Sequence, residues 1–240
     1  MKIAILLAGH TNKEMPAEFH DYNILFERAF AQSSLYDAFS FSSFAVVDDI
    51  FPDSIDEFDG FLITGSAYGV YDDAPFIAKL MDLVRQIHAA GKPLAGICFG
   101  HQIIAHALGG HAQKWPHGWG LGIQQITLDD APPWIETKED TLNLIHMHQD
   151  QVIKLPKGAR CFASSDFCAI AGYVIGNTVF AFQGHPEFTI DYTNALIDLI
   201  KPRVGDDAFA RGKSSLSKSH NGVQASDWIL RFFTIYRDAA

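Results

Sequence analysis

The sequence of 240 residues predicts an α/β fold, with a mixed, mostly parallel sheet and helices on both of its faces. Three observations lead to this prediction. Short, continuous apolar runs are typical of buried parallel strands, helix-like apolar periods separate several of these runs, and apolar and polar residues alternate in the second half of the chain. Alternation of strand and helix implies right-handed crossovers, which cover both faces of a sheet.

Short apolar runs give the strands of this fold. The predicted buried strands are Ile3–Ala8, Phe44–Val47, Phe61–Ile63, Pro93–Cys98 and Val179–Phe182. Alternation in Ile123–Leu128 and the β-branched and aromatic stretch Tyr173–Phe182 predict added antiparallel strands. The first run is too short for the ~7–15-residue core of a signal peptide, and no run approaches the ~18–20 residues of a membrane span.

Helices are predicted in several of the connections between these strands. Apolar residues recur every three or four positions from Pro16 to Phe30 and from Ala74 to Ala90, where Gly91 and Pro93 follow as breakers. A last helix is predicted at Asp227–Asp238 with Ser226 as its cap. The segment Pro202–Gln224 is polar and has no apolar period, so we expect a mobile connection there. Without repeats or low-complexity segments, we expect residues 1–240 to form a single domain.

Composition and charge exclude several classes of protein. With 48% hydrophobic and 12% aromatic residues, the chain is expected to fold rather than to remain disordered. Its formal charge of -10, without a basic stripe, argues against binding to nucleic acid or to a membrane surface. Three cysteines in a chain of this length are too few for a disulfide framework, so a reducing, cytoplasmic setting is expected.

The stretch with most chemical information is Gly-Ile-Cys-Phe-Gly-His-Gln, residues 96–102, where a predicted buried strand stops at Cys98 and turns directly into a helix. Glycines two positions before and after the cysteine resemble the elbow of G-x-S-x-G hydrolases, which exposes a nucleophile on a sharp turn. The helix N-terminus would favour a thiolate. By itself the motif is equally compatible with a structural cysteine.

A second motif supplies the groups that a thiolate nucleophile needs. His185 and Glu187, in Gln-Gly-His-Pro-Glu, follow a predicted strand and are expected just beyond its carboxyl end. Glu187 can orient one imidazole nitrogen while the other faces Cys98. A solvated loop with an incidental histidine is the alternative, since the chain has 11 histidines.

Together these two motifs resemble the class I, triad-type glutamine amidotransferases. This family contains the glutaminase parts of GMP synthetase and related enzymes. The resemblance covers nearly the whole chain and implies a flavodoxin-like α/β sheet. It also implies that Cys98 is the nucleophile, His185 the acid and base, and Glu187 the orienting carboxylate.

Two looser matches extend the resemblance to the substrate. The loop Thr64-Gly-Ser-Ala-Tyr resembles the family's glycine-rich loop, so the resemblance implies an oxyanion hole from the amides of Ser66 and Phe99, with Gly65 beside the substrate. Met147-His-Gln-Asp resembles a stretch that, with Gln102, holds the α-amino and α-carboxylate groups of glutamine. The resemblance therefore implies substrate contacts at Gly65, Gln102, Met147, His148 and Asp150. By itself, the second match also fits a polar strand end.

Two departures from the family pattern have physical consequences. Ser66 stands where a glycine is usual, so a requirement for positive φ would strain the hole. Gly184 replaces a phenylalanine, which leaves space for a bulkier substrate or for a neighbouring side chain. No metal is expected, because His101 and His106 share no face with a carboxylate, and the two imidazoles of His146 and His148 would make only a weak site. The chain has no dinucleotide or ATP motif that would indicate a cofactor.

Three hypotheses about function follow. The first is hydrolysis of glutamine through a γ-glutamyl thioester, with ammonia passed to a separate synthetase partner, because the chain is too short to carry a synthetase itself. The second is a self-sufficient γ-glutamyl hydrolase or peptidase acting on glutathione-like conjugates. The third is a catalytically idle homologue with a binding or regulatory role. In the first two, glutamine or another small γ-glutamyl molecule is the substrate.

Overall fold

A computed structural model describes residues 1–16, 18–19 and 21–239. Its strands are β1 (Lys2–Leu6), β2 (Ser40–Phe44), β3 (Gly60–Ile63), β4 (Leu94–Ile97), β5 (His111–Lys114), β6 (Gly120–Leu128), β7 (Thr141–His148), β8 (Asp150–Lys154), β9 (Ala159–Ser164), β10 (Gly172–Ile175) and β11 (Val179–Phe182). Its α-helices are α1 (Tyr22–Phe30), α2 (Pro75–Ala89), α3 (Phe99–Ala107), α4 (Ile190–Val204), α5 (Asp206–Ser215) and α6 (Gly222–Ala239).

Nine strands form one sheet in the order β2-β1-β3-β4-β11-β10-β9-β6-β7. The first five strands are parallel to one another, and the remaining strands add by antiparallel pairing, beginning with β10 on β11. This confirms the mixed sheet predicted from the sequence. Strands β5 and β8 form a separate antiparallel pair. No helix among the described residues is long and apolar enough to cross a membrane.

Helices cover both faces of the parallel half of the sheet, as predicted. Strand β1 shows why, because its side chains alternate between two apolar clusters. Ile3 and Ile5 pack with side chains of α1 and α6, while Ala4 and Leu6 pack with side chains of α2 and α3. Both clusters are buried, and they hold the parallel strands in place between the two helix layers, so the strands end at one edge of the sheet.

The predicted strand Phe44–Val47 is wrong by several residues. Strand β2 occupies Ser40–Phe44, and Val46–Asp48 forms a short 3-10 turn. The reason is that β2 lies at the edge of the sheet and pairs only with β1. An edge strand is incompletely buried, so it does not have the continuous apolar run of a central strand.

The first helix also begins later than its apolar period predicts. Helix α1 starts at Tyr22, because the carboxylate of Asp21 accepts hydrogen bonds from the amides of Tyr22 at 2.9 Å and Thr11 at 3.0 Å. This side chain caps the helix and ties the loop before it to the same point. Helix α2, in contrast, lies where its period predicts.

The segment Pro202–Gln224, where we expected a mobile connection without an apolar period, is largely helical, because the end of α4 and all of α5 lie within it. Helix α5 buries small residues, Ala208, Gly212 and Ser215, rather than large apolar ones. The Ser215 hydroxyl accepts a hydrogen bond from the amide of Ile123 at 2.8 Å, which fixes α5 against β6. A search for large apolar residues does not detect a face made of small ones.

The last helix begins five residues before the predicted Asp227. Its start is fixed by a two-way contact with β7, in which the Asn221 amide donates to the Asn143 carbonyl at 2.8 Å and the Asn143 amide donates to Asn221 Oδ1 at 2.9 Å. Ser226, the predicted cap, is buried inside the helix instead.

Candidate active site

Cys98 lies at the turn between β4 and α3, as the elbow motif predicts. Its backbone has φ 54 and ψ -102, a positive-φ conformation that only a few non-glycine residues adopt. The flanking glycines allow this turn: a Cβ on Gly100 would lie 2.3 Å from the carbonyl oxygen of Ile63, and one on Gly96 would lie 2.6 Å from the Gly100 carbonyl carbon. The strained turn therefore holds Cys98 at the first residue before a helix N-terminus.

Pairing between β4 and β11 brings the second motif to the same place. Ile97 is in register with Phe182, and the amide of Cys98 donates to the carbonyl of Phe182 at 3.1 Å. The chain then continues to His185, whose amide donates to the carbonyl of Ile145 at 2.7 Å. The carboxyl ends of two adjacent parallel strands thus deliver Cys98 and His185 together.

His185 interacts with both predicted partners. Its Nδ1 lies 2.7 Å from Oε1 of Glu187, and both side chains are buried. Burial alone lowers the pKa of His185, but the charges of Glu187 and Cys98, and hydrogen bonds to both, outweigh it and raise this pKa to about 10. The raised pKa favours the protonated form of the imidazole, which lies beside the sulfur of Cys98.

An aromatic wall behind His185 was not predicted from the sequence. The ring of Phe188 stacks on the imidazole with 4.0 Å between centroids and an interplanar angle of 3°. Tyr22 and Tyr192 pack in turn on Phe188, at 6.2 Å and 4.4 Å between centroids. Tyr22 belongs to the apolar period from Pro16 to Phe30, but nothing in that pattern indicates that the helix packs near the histidine.

The loop after β3 lies against the same pair. A Cβ on Gly65 would be 3.0 Å from Cε1 of His185 and 3.8 Å from Cβ of Cys98, so Gly65 backs the imidazole and does not line the cavity. Ser66 does line the cavity and keeps a negative φ, so the strain considered for this position is absent. The amide of Phe99 belongs to the first turn of α3, where N–H groups have no partner within the helix.

The other four residues expected to hold the substrate all lie at the same cavity. Gln102, Met147, His148 and Asp150 all line the cavity that contains Cys98. Gln102 Nε2 donates to the Asp150 carbonyl at 2.9 Å and to Gln183 Oε1 at 3.0 Å, so this amide also braces α3 against β8. Burial raises the pKa of Asp150, and a hydrogen bond from Tyr71 opposes that rise.

Gly184 does not open space for a substrate. A Cβ at this position would lie 2.8 Å from Cβ of Leu144 and 3.3 Å from Nε2 of His146. The volume of the usual phenylalanine is therefore filled by neighbouring side chains, which was the other alternative considered for this departure. Gly184 consequently gives no support to a bulkier substrate.

Three further histidines are buried close to the site. Burial lowers the pKa of His146, of His148 to about 4 and of His101 to about 3, so all three are neutral at physiological pH. Nδ1 of His146 and Nε2 of His148 are 3.1 Å apart. Within the described residues, no group of three or more histidine, cysteine or acidic side chains is arranged to hold a metal ion.

The cavity at Cys98 has a volume of about 380 Å³ and is open to solvent. Besides Cys98 and His185, its lining includes Tyr68, Trp119 and Arg203. Neither Trp119 nor Arg203 was recognised from the sequence as a functional residue. Both belong to segments without a motif, and only the fold brings them to the cavity.

Comparison with known proteins agrees with this geometry. The family model "Glutamine amidotransferase class-I" matches residues 40–197, which include Cys98, His185 and Glu187. Gamma-glutamyl peptidase 3 of Arabidopsis thaliana is 33% identical over 72% of this chain and 74% of its own length. One subunit of the glutamine-hydrolyzing GMP synthase of Sulfolobus acidocaldarius is 28% identical over 65% of this chain and 81% of its own length.

Solved structures support the same fold. A glutamine amidotransferase from Thermotoga maritima superposes with a TM-score of 0.73 over 97% of both chains, at 18% identity. This likeness confirms the flavodoxin-like fold class that the resemblance implied. With the family model and the relatives, it leads to one conclusion: the chain belongs to the class-I glutamine amidotransferase family and is a hydrolytic enzyme.

Proposed function

We propose that this enzyme hydrolyses the γ-glutamyl amide bond of small peptides, with Cys98 as nucleophile. The observation that carries the proposal is the extent of the cavity. At about 380 Å³, it falls within the ~300–1,000 Å³ range of pockets for drug-sized ligands, and its lining includes Trp119 and Arg203 as well as Cys98 and His185. A substrate that releases only ammonia would not need the part of the cavity at Trp119 and Arg203, whereas a peptide leaving group would occupy it.

The first half of the reaction uses the Cys98–His185 pair. The sulfur attacks the amide carbon, and the amides of Ser66 and Phe99 donate hydrogen bonds to the oxygen that becomes negative. His185, protonated because of its raised pKa, gives its proton to the departing nitrogen. The C–N bond breaks, and the γ-glutamyl group remains on Cys98 as a thioester.

The second half returns the proton. Once His185 has donated, its neutral imidazole accepts a proton from water, and the resulting hydroxide attacks the thioester. Glu187 keeps Nδ1 protonated throughout and stabilises the imidazolium when it forms. Free glutamate leaves, and the thiolate and imidazolium are restored.

The γ-glutamyl end of the substrate is held on the side of the cavity formed by β7 and β8. Asp150 supplies a carboxylate for the α-ammonium group, with Gln102, Met147 and His148 around it. Gly65 keeps the imidazole in place from the other side. We infer that the leaving group contacts Trp119 and Arg203, which line the same cavity.

Hydrolysis of glutamine for a synthetase partner is the second candidate. It is favoured by similarity to one subunit of a GMP synthase that is named as glutamine-hydrolyzing. In that case the open end of the cavity would face the partner rather than hold a peptide. The catalytic groups would act in the same way, and only the leaving group would differ.

Turnover of matched substrates separates the two candidates. We expect the isolated enzyme to cleave γ-glutamyl dipeptides and tripeptides with a kcat/KM about tenfold or more above that for glutamine, because only the peptides contact the distal part of the cavity. Released glutamate and released peptide or ammonia are quantified in the same reactions. A higher kcat/KM for glutamine would assign the enzyme to the glutaminase group instead.

A further inference from the structure

Two basic side chains line the cavity outside the predicted triad and its neighbours. Arg203, in the last turn of α4, and Lys114, at the end of β5, line the same cavity as Cys98. The guanidinium carbon of Arg203 lies 5.9 Å from the ring centroid of Trp119, which lines the cavity beside it. A stacked guanidinium keeps its hydrogen-bond donors free at its edge.

Arg203 is an uncompensated cation. Among the described residues it forms no ion pair, whereas the nearby Lys213 pairs with Asp198 at 2.8 Å. Lys114 is less available, because its charge already acts on the carboxylate of Asp150 and opposes the rise in the pKa of that group. In a protein with a formal charge of -10, an exposed arginine that lines the cavity without an acidic partner is a local attraction for an anion.

The fold holds Arg203 and Trp119 in fixed relative positions. Arg203 comes shortly before α5, and Trp119 comes immediately before β6. These two elements are in direct contact, since a Cβ on Gly122 of β6 would lie 2.5 Å from the Gly212 carbonyl oxygen of α5. Contact between α5 and β6 therefore sets the geometry of the Arg203–Trp119 pair.

Charges of both signs line the cavity. Asp72 and Asp150 line it with Lys114, whose charge acts on Asp150, whereas Arg203 lines it from α4 without a carboxylate partner among the described residues. A ligand with an ammonium group at one end and a carboxylate at the other would therefore bind in one orientation. A γ-glutamyl peptide has these two features, because its α-ammonium and the carboxylate of its leaving peptide lie on opposite sides of the scissile amide.

We propose that Arg203, stacked on Trp119, binds the free carboxylate of the leaving peptide, so the enzyme selects γ-glutamyl peptides with an unblocked carboxyl end. The inference rests on the proposed function for its substrate. Arg203 lies outside residues 40–197 that the family model matches, and it acts by binding substrate rather than in the chemistry. Guanidinium and carboxylate form the planar, two-bond pair that favours arginine over lysine.

The test compares two substrates that differ at one group, a γ-glutamyl peptide with a free terminal carboxylate and the same peptide as its carboxamide. We expect the unmodified enzyme to prefer the carboxylate by about tenfold in kcat/KM, the size of one charge-assisted contact. Arg203→Gln should remove this preference by slowing the carboxylate substrate alone, and Arg203→Lys should restore part of it. Arg211→Gln, which removes an exposed charge on α5, should change neither substrate.

Equal cleavage of the two substrates by the unmodified enzyme, or an equal loss for both in Arg203→Gln, would overturn the inference and leave the proposed function standing. Binding of the same two peptides is also measured in Cys98→Ala, with and without Arg203→Gln. This measurement detects the case in which the subsite exists but the enzyme does not hydrolyse peptides. In that case the peptide with the free carboxylate would bind more tightly than its carboxamide only when Arg203 is present, and the unmodified enzyme would cleave neither peptide. This result would support the subsite and contradict the proposed function.

Discussion

Cys98→Ala is expected to lower kcat/KM for every γ-glutamyl substrate by about 10⁴-fold or more, because it removes the atom that carries the acyl group. The variant keeps substrate binding and the oxyanion hole, but it cannot form the thioester. The backbone at φ 54 carries a Cβ in both proteins, so the change adds no new strain at the elbow. Steady-state release of glutamate gives the rate, and the melting temperature reports the fold.

Cys161→Ala is the matched control for this substitution. Cys161 is partly buried, and its sulfur donates to the carbonyl of Ala163 at 3.3 Å in β9, away from the cavity. Its replacement should leave kcat/KM unchanged. Retention of more than about a tenth of the activity by Cys98→Ala would contradict a covalent route through this residue.

His185→Ala is expected to cost about 10⁴-fold in kcat/KM, and Glu187→Gln about 10- to 100-fold less, because the imidazole moves the proton while the carboxylate only orients and stabilises it. Glutamine keeps the shape of Glu187 and an oxygen for Nδ1. It removes the negative charge that raises the pKa of His185, so this pKa should fall. The pH profile of kcat should shift towards lower pH in Glu187→Gln as a consequence.

Two substitutions serve as controls for the triad variants. His111→Ala and Glu139→Gln change exposed residues that do not line the cavity, and both should retain full activity. A His185→Ala variant with unchanged turnover would show that another group transfers the proton. A Glu187→Gln variant with an unshifted pH profile would show that its charge does not set the pKa of His185.

The candidate triad could be predicted because it depends on two central strands. Continuous apolar runs identified β4 and β11, and each motif followed its strand directly. In a parallel sheet the ends of strands lie at one edge, so two motifs that each follow a strand can meet. The sequence did not show that β4 and β11 are neighbours, which the register of Ile97 with Phe182 established.

Other parts of the molecule left no comparable signal. Helix α5 buries Ala208, Gly212 and Ser215, residues that are not distinguished by hydropathy from those of a loop. The far end of the cavity depends on this helix, because α5 fixes Arg203 relative to Trp119. The position of Arg203 relative to Trp119 is therefore set by packing between small residues, which hydropathy patterns in the sequence do not show.

Covalent labelling tests the central claim most directly. Burial raises the pKa of Cys161 and raises that of Cys168 to about 12, so both thiols are protonated at neutral pH. A glutamine-like electrophile should therefore add one equivalent to Cys98 alone, with loss of activity in proportion, as seen by mass spectrometry of the digested protein. Equal labelling of Cys161 or Cys168, or full activity after Cys98 is labelled, would contradict the assignment of Cys98 as the nucleophile.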